Sequence, residues 1–122
     1  MNYLLDVNAL VAWHHPNAQD HAAFHVWHRA NSGAGLWSCA ITELGFLRVS
    51  MQAFRYDARQ AAAALAQLKR SLRYAAELPP PQLPAWAKTA ASTTDAYLQQ
   101  IATHHGAQLA TFDASIPGAV RI

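Results

Sequence analysis

Short apolar runs alternate with helical segments along this chain, and that alternation constrains the fold more than any other feature. The runs YLLDV, GLWSCA, YAAELP and AQLATF have the length and flanking residues of buried strands, and AVRI adds a short edge strand. Between them lie segments with helical spacing or helix-capping residues. Strands that alternate with helices pair in parallel, so we predict a layered α/β domain.

The helices can be placed from their periodicity and their caps. Five segments are predicted to be helical: 8–15, 20–31, 42–54, 58–72 and 95–105. Asp20 and Asp57 are interpreted as N-caps of the second and fourth helices, and Thr93 and Thr94 as caps of the last. In the fourth helix the leucines form one face, and the basic residues, Lys69 among them, are predicted to point outward.

Length and composition indicate one domain. With 122 residues and 52% hydrophobic content, residues 1–122 can form a single core. Prolines at 79, 80, 81 and 84 cannot continue a central strand, so we expect a surface loop there rather than a polyproline ligand. Cys39 is alone, which excludes a disulfide scaffold. No apolar run is long enough to span a bilayer, and the start has no basic leader, so we expect a soluble, cytoplasmic protein without membrane association.

Four acidic side chains fall where strands end or helices begin. Asp6 ends the first strand, Asp113 ends the fourth, Asp95 lies in the first turn of the last helix, and Glu43 lies near the start of the third. This edge of an open α/β sheet is where ligands bind. Taken singly, each acid is better explained as a helix cap or a first-turn acid. Together they would repel by roughly 4 kcal/mol per pair at 4 Å, so a positive charge or raised pKa values must offset the repulsion.

A hard divalent cation would supply that charge. Mg²⁺ and Mn²⁺ prefer carboxylate and water oxygens, and the chain has no set of soft ligands. His21, His25 and His28 share a helix face at a spacing that can bind metal. Because the apolar stripe of that helix is predicted around Phe24 and Trp27, we interpret the three imidazoles as its solvated side.

The stretches LLDVNAL, ITELGFLRV, TTDAYL and LATFD, in this order and at this separation, resemble the PIN-domain ribonucleases. The resemblance covers essentially the whole chain and is to the VapC-type toxins of bacterial toxin-antitoxin pairs. It implies a three-layer α/β/α sandwich around a mainly parallel sheet of four to five strands. It also implies that Asp6, Glu43, Asp95 and Asp113 are the acidic quartet. Some members carry a further acid just past the position of Asp113, where this chain has Ser115.

The resemblance also implies an activity. The expected reaction is hydrolysis of RNA phosphodiester bonds by a water molecule that a carboxylate-bound Mg²⁺ or Mn²⁺ activates, leaving a 5′-phosphate and a 3′-hydroxyl. Asp6 and Asp95 would hold the ion, with Glu43 and Asp113 holding its water. Asn8 lies two residues after Asp6, and Thr111 lies two residues before Asp113. Both could orient these carboxylates. Alternatively, they are an ordinary amide at a helix start and an ordinary strand threonine.

Contacts with substrate and partners are the next expectation. Arg48 could reach a phosphate near the ion. The resemblance implies that a cognate antitoxin covers the first helices, so we expect apolar surface around Trp13, Phe24 and Trp27. Alternatively, the two tryptophans could stack on RNA bases. The resemblance also implies a homodimer, for which the flank of the helix carrying Leu65 and Leu72 is a candidate.

Two other function classes are compatible with the residues. A phosphatase with a nucleophilic Asp also begins with an apolar strand ending in Asp, but its usual second acid is Asn8 here. A non-catalytic RNA-binding or protein-docking domain would need the four acids only as caps. Charge favours a polyanionic partner: nine Lys and Arg oppose seven acids, and only three acids remain if four belong to one site.

Overall fold

The computed structural model describes all of residues 1–122, which form five strands and five helices. In chain order these are β1 (Asn2–Leu5), α1 (Val7–His14), α2 (His21–Ala30), β2 (Gly35–Cys39), α3 (Ala40–Ala53), α4 (Ala58–Lys69), β3 (Arg73–Ala75), α5 (Ala90–His104), β4 (Gln108–Thr111) and β5 (Val120–Arg121). The sheet order is β3-β2-β1-β4-β5, and every neighbouring pair is parallel. The predicted layered α/β fold with a mainly parallel sheet is confirmed.

The central strand β1 is covered on both faces, which gives the molecule three layers. Leu5 packs into a core cluster with side chains of α1, α2, α3 and α4. Leu4, which points to the opposite face because side chains alternate along a strand, packs with Leu98 and Ile101 of α5. The predicted α/β/α sandwich is therefore confirmed, and β1 carries its carboxyl end, with Asp6, to the middle of one sheet edge.

The last helix begins earlier than its sequence indicated. It starts at Ala90 instead of at the predicted Asp95, so Asp95 lies in its second turn and not its first. The Thr93 hydroxyl donates to the carbonyl of Ala90 one turn back and caps nothing. The predicted end is confirmed at Gly106, whose φ of 69° is the left-handed conformation that glycine favours.

The proline-rich segment is a loop fastened to α5. Strand β3 ends at Ala75, so the sequence runs into a segment without helix or strand at 76–89. The Tyr97 hydroxyl donates to the carbonyl of Pro79 at 2.6 Å, and the Gln100 amide donates to that of Pro80 at 2.9 Å. The predicted surface loop is confirmed, and its backbone carbonyls are satisfied by side chains of α5.

The histidines of α2 do not form a solvated face, and that prediction is wrong. His21 Nδ1 lies 2.7 Å from the carbonyl of Ala12, and His25 Nε2 lies 3.3 Å from that of Trp13. The last carbonyls of a helix have no partner within the helix, and these imidazoles satisfy two of them in α1. The outward side of α2 instead exposes Val26.

The apolar surface expected around Trp13, Phe24 and Trp27 is smaller than predicted. Phe24 is fully buried, its ring 5.3 Å from that of Trp13, and Trp27 packs edge-on against Tyr3. Trp13 and Trp27 are only half-buried, and Val26 is exposed beside them, so contact of this region with a partner or with bases stays a prediction.

The dimer surface predicted on the exposed flank of α4 stays a prediction. Leu65 is buried in the core and Leu72 packs against the same cluster, so neither leucine forms part of that flank. The exposed side of α4 carries Ala62, Ala63 and Ala66. The large apolar side chains that other helix surfaces expose include Leu44 and Met51 of α3, at 64% and 45%.

None of the five helices combines the length and the apolar content that crossing a bilayer requires.

Close packing of α3 on α1 depends on one glycine. A β-carbon on Gly45 would overlap the Cγ2 atom of Val7, the residue directly after Asp6. We expect Gly45→Ala to lower the free energy of unfolding by about 1–3 kcal/mol, because overpacking outweighs the better helix propensity of alanine. Urea unfolding measures this. Gly33→Ala is the matched control, since nothing lies within 4 Å of the added methyl group. Equal effects of the two substitutions would contradict the prediction.

Candidate functional site

Asp6 is buried at the centre of the carboxyl edge of the sheet. It is the N-cap of α1, 7% exposed, and its Oδ1 accepts from the Val7 amide at 2.7 Å. Its Oδ2 accepts from the Thr111 hydroxyl at 2.8 Å. Burial raises the pKa of Asp6; the bonds from Thr111 and Val7 oppose that rise, and the charge of Asp113 adds to it. Asp6 therefore has hydrogen-bond donors but no cationic partner from the chain.

The Thr111 hydroxyl joins the two strand ends. It donates to Asp6 and accepts from the Asn8 amide nitrogen at 3.1 Å and from the Asp113 backbone amide at 3.0 Å. Asn8 Oδ1 accepts in turn from the backbone amide of Phe112 at 3.2 Å. A hydroxyl has one donor and two acceptor lone pairs, and Thr111 uses all three. The network fixes Asp6 relative to the backbone of Asp113.

Asp113 differs from the other aspartates because its partners are local. Its Oδ1 accepts from the hydroxyl and the backbone amide of Ser115 at 2.6 and 2.8 Å. These two bonds hold the pKa of Asp113 below its usual value, so the carboxylate stays ionised. Ser115 thus fixes the Asp113 carboxylate from two residues further along the chain.

Asp95 reaches the same region from α5. The side chain is half-buried, and its pKa is raised first by burial and then by the charges of Asp6 and Asp113. No hydrogen bond opposes these effects. The carboxylate of Asp95 is therefore held near two others at a cost in free energy that nothing within the chain offsets.

The three aspartates line one cavity of about 420 Å³. Asn8 lines it as well, and apolar side chains of α1 and α3 form part of its wall. A larger cavity of about 560 Å³ lies between α5 and the proline loop, but no carboxylate lines it. We take the smaller cavity as the candidate site because it contains the perturbed ionisable groups.

Asp20 also lines this cavity, which its sequence position did not indicate. It occupies the N-cap position of α2, as predicted, but its side chain makes no capping hydrogen bond. An Asp before a helix is normally explained by capping alone, so the sequence offers no signal that would separate Asp20 from Asp57, which does cap its helix.

Glu43 is the one acid of the predicted quartet that does not line the cavity. It lies in the first turn of α3, 8% exposed, and its Oε2 accepts from the Ser38 hydroxyl at 2.7 Å. Its Oε1 lies 3.2 Å from the Lys69 ammonium. Lys69 is exposed, as predicted, but α4 ends beside α3, and its last residue also pairs with a buried carboxylate.

Arg48 lies on the exposed side of α3 and makes no ion pair. The next residue, Val49, lines the cavity. The guanidinium of Arg48 is thus uncommitted on a helix that borders the site, and its contact with a phosphate stays a prediction.

The donor set suits a hard divalent cation. Carboxylate and amide oxygens are what Mg²⁺ and Mn²⁺ prefer, and Asp95, whose pKa is raised by burial and then by the charges of Asp6 and Asp113, makes no ion pair within the chain. No three Asp, Glu, His or Cys side chains lie close enough together to hold an ion as the chain stands. The residues therefore fit such an ion in chemistry, and its binding would require the carboxylates to draw together.

Comparison with known proteins identifies the class. A sequence model of the PIN domain matches residues 3–119. The match spans nearly the whole chain, which therefore belongs to the PIN-domain family.

Individual relatives narrow the resemblance to the VapC type. Ribonuclease VapC38 of Mycobacterium tuberculosis is 35% identical, with 93% of this chain and 86% of that protein covered. Ribonuclease VapC39 of the same organism is 32% identical, with 95% and 91% covered. The predicted resemblance to VapC-type PIN proteins is confirmed.

A solved structure supports the fold independently. A chain in the crystal structure of VapBC2 from Rickettsia felis, bound to a DNA fragment from their promoter, is similar to this chain with a TM-score of 0.61. The sequences are 13% identical, and the match covers 100% of this chain and 98% of that chain. At this identity the likeness concerns the fold alone.

Proposed function

We propose that this chain is an endoribonuclease of the VapC type, the toxin of a toxin-antitoxin pair, and that it depends on Mg²⁺ or Mn²⁺. The observation that carries the proposal is the cavity at the carboxyl edge of the sheet, where Asp6, Asp95 and Asp113 meet from three distant segments. The ribonuclease names of its relatives support the reaction class. The acidic, oxygen-rich lining supports dependence on a hard cation.

Each residue of the site has a proposed role. Asp6, Asp95 and Asp113 would hold the cation, with Glu43 as the fourth acid. Such an ion, when bound, lowers the pKa of an attacking water and offsets charge on the phosphodiester. Thr111 and Asn8 keep Asp6 and the strand end of β4 in register through the hydrogen bonds described above.

Substrate and partner follow from charge and family. We propose that the Arg48 guanidinium binds an RNA phosphate, since it is exposed, unpaired and on a helix that borders the cavity. A cognate antitoxin is the proposed protein partner, and a homodimer the proposed assembly. Such an enzyme would act in the cytoplasm, where its RNA substrate is found.

Cleavage of a structured RNA tests the proposal. We expect the purified protein to cut it in Mg²⁺ or Mn²⁺, leaving 5′-phosphate and 3′-hydroxyl ends, and to stop cutting in EDTA. Asp6→Ala should abolish cutting, while Asp57→Asn, which keeps a helix-capping residue far along the chain from the cavity, should not. Sequencing gels and end-labelling report both results.

Three other outcomes would contradict the proposal. RNA that is shifted on a native gel but never cut would indicate a binding module. Phosphate released only from small esters would indicate a phosphatase. Cutting that persists in both EDTA and Asp6→Ala would remove the cavity from the reaction.

A further inference from the structure

Glu43 stands apart from the other three acids because a lysine holds it. Both of its carboxylate oxygens are engaged, one by the Ser38 hydroxyl at 2.7 Å and one by the Lys69 ammonium at 3.2 Å. It is nearly as buried as Asp6, yet it does not line the cavity that Asp6, Asp95 and Asp113 share. The ion pair with Lys69 is the feature that distinguishes its surroundings from theirs.

Glu43 nevertheless belongs to the same edge of the sheet. It lies in the first turn of α3, which follows β2, and β2 is the direct neighbour of β1. Two residues further along α3, Gly45 packs against Val7, the residue after Asp6. The first turns of α1 and α3 therefore lie side by side, and the backbone positions that carry Asp6 and Glu43 are close to that contact.

We propose that Lys69 is a positioning residue that competes with the divalent cation for Glu43. The ammonium and the ion would both seek the Glu43 carboxylate, and two like charges at one carboxylate repel each other. The Lys69 pair therefore has to open before Glu43 can join the other acids. This inference rests on the proposed function, because it presupposes that the cavity binds a cation.

The surroundings of Lys69 allow the pair to open. The Lys69 side chain is 44% exposed while that of Glu43 is 11% exposed, so water can solvate the ammonium once a divalent cation has replaced it at the buried carboxylate. The ammonium also lies 5.0 Å from the centre of the Tyr74 ring, which attracts a cation. This cation–π contact can persist after the bond to Glu43 has broken.

Titration with Mn²⁺ tests the proposal without relying on activity. Isothermal calorimetry of the whole chain should give a dissociation constant about threefold lower for Lys69→Met than for the wild type, as expected when a partly exposed lysine no longer competes for the carboxylate. Lys69→Gln is a second neutral variant with a polar end. Arg70→Met is the matched control. It removes the same charge from the next residue along the chain, and the Arg70 side chain makes no ion pair.

Cleavage assays add a second readout. The Mn²⁺ concentration that gives half-maximal cutting should fall by the same factor in Lys69→Met and stay unchanged in Arg70→Met. Thermal melting without Mn²⁺ verifies that each variant is folded.

The outcomes separate the two proposals. If the wild type binds Mn²⁺ and cuts RNA, but Lys69→Met and Arg70→Met bind Mn²⁺ equally, competition by Lys69 is refuted and the ribonuclease proposal stands. If Lys69→Met loses cutting at saturating Mn²⁺ with no change in Mn²⁺ affinity, Lys69 acts on RNA and the inference is again overturned. A wild type that neither binds Mn²⁺ nor cuts RNA refutes both.

Discussion

Asp95→Asn should abolish RNA cutting and at the same time raise the melting temperature of the cation-free protein. Burial, and then the charges of Asp6 and Asp113, disfavour the ionised carboxylate of Asp95, and no hydrogen bond offsets them, so an uncharged amide there should raise the free energy of unfolding. Loss of a cation ligand should lower the cleavage rate by about 100-fold or more, since an ion at a phosphoryl oxygen is worth several kcal/mol. Gel assays and calorimetric melting measure the two effects.

The gain in stability should depend on pH in a defined direction. Because the pKa of Asp95 is raised in the folded state, that state binds the proton more tightly than the unfolded chain does. The wild type therefore loses stability as pH rises from the ordinary value of 3.8 through the raised pKa, and the loss is complete above it. Asp95→Asn lacks this group, so its advantage should be largest near neutral pH and disappear below pH 3.8.

Cation binding should reverse the order of stability. A ligand that binds only the folded state adds about 2.7 kcal/mol to the free energy of unfolding at 100 times its dissociation constant. The wild type should gain this stability from the cation, and Asp95→Asn should not. Asp57→Asn is the control, because Asn caps a helix as well as Asp and residue 57 does not line the cavity. If Asp95→Asn melted at a lower temperature than the wild type without cation, the repulsion described here would be absent.

Thr111→Val should be the most damaging change that leaves every acid in place. Valine has the shape of threonine but cannot bond Asp6, Asn8 or the Asp113 amide, which all meet at the Thr111 hydroxyl. Leaving these buried groups unpaired should lower the free energy of unfolding by about 1–3 kcal/mol. Loss of an orienting contact should lower the cleavage rate or the Mn²⁺ affinity by about 10- to 100-fold.

Thr111→Ser is the matched control for this change. It keeps the hydroxyl and removes only a methyl group, so its losses in both urea unfolding and cleavage should be much smaller than those of Thr111→Val. Equal losses would mean that packing of the methyl group, and not the hydrogen bonds, matters at this position.

The positions of Asp6 and Asp113 could be predicted because they depend on backbone order alone. Asp6 and Asp113 follow apolar runs, and parallel strands bring their carboxyl ends to one edge whatever their side chains do. The start of α5 was less predictable, because threonine is a common N-cap residue and Thr93 and Thr94 therefore suggested a later start. Only the structure shows that Thr89 precedes the first turn and that Thr93 bonds back to Ala90.

Features that depend on how one helix is turned against another could not be predicted. The histidines of α2 have the spacing of a polar face, but the free carbonyls at the end of α1 draw His21 and His25 inward. The pairing of Lys69 with Glu43 joins two helices whose packing no local pattern encodes. The position of Asp20 beside the cavity could not be predicted either, because an Asp before a helix is normally explained as an N-cap.

The contact between Thr111 and Asp6 spans 105 positions of the chain. During synthesis, Asp6 leaves the ribosome long before its partner on β4 has been translated, so a growing or prematurely terminated polypeptide lacks half of the acidic edge. If the proposed function is correct, a nascent chain therefore stays inactive until its final strands have been made.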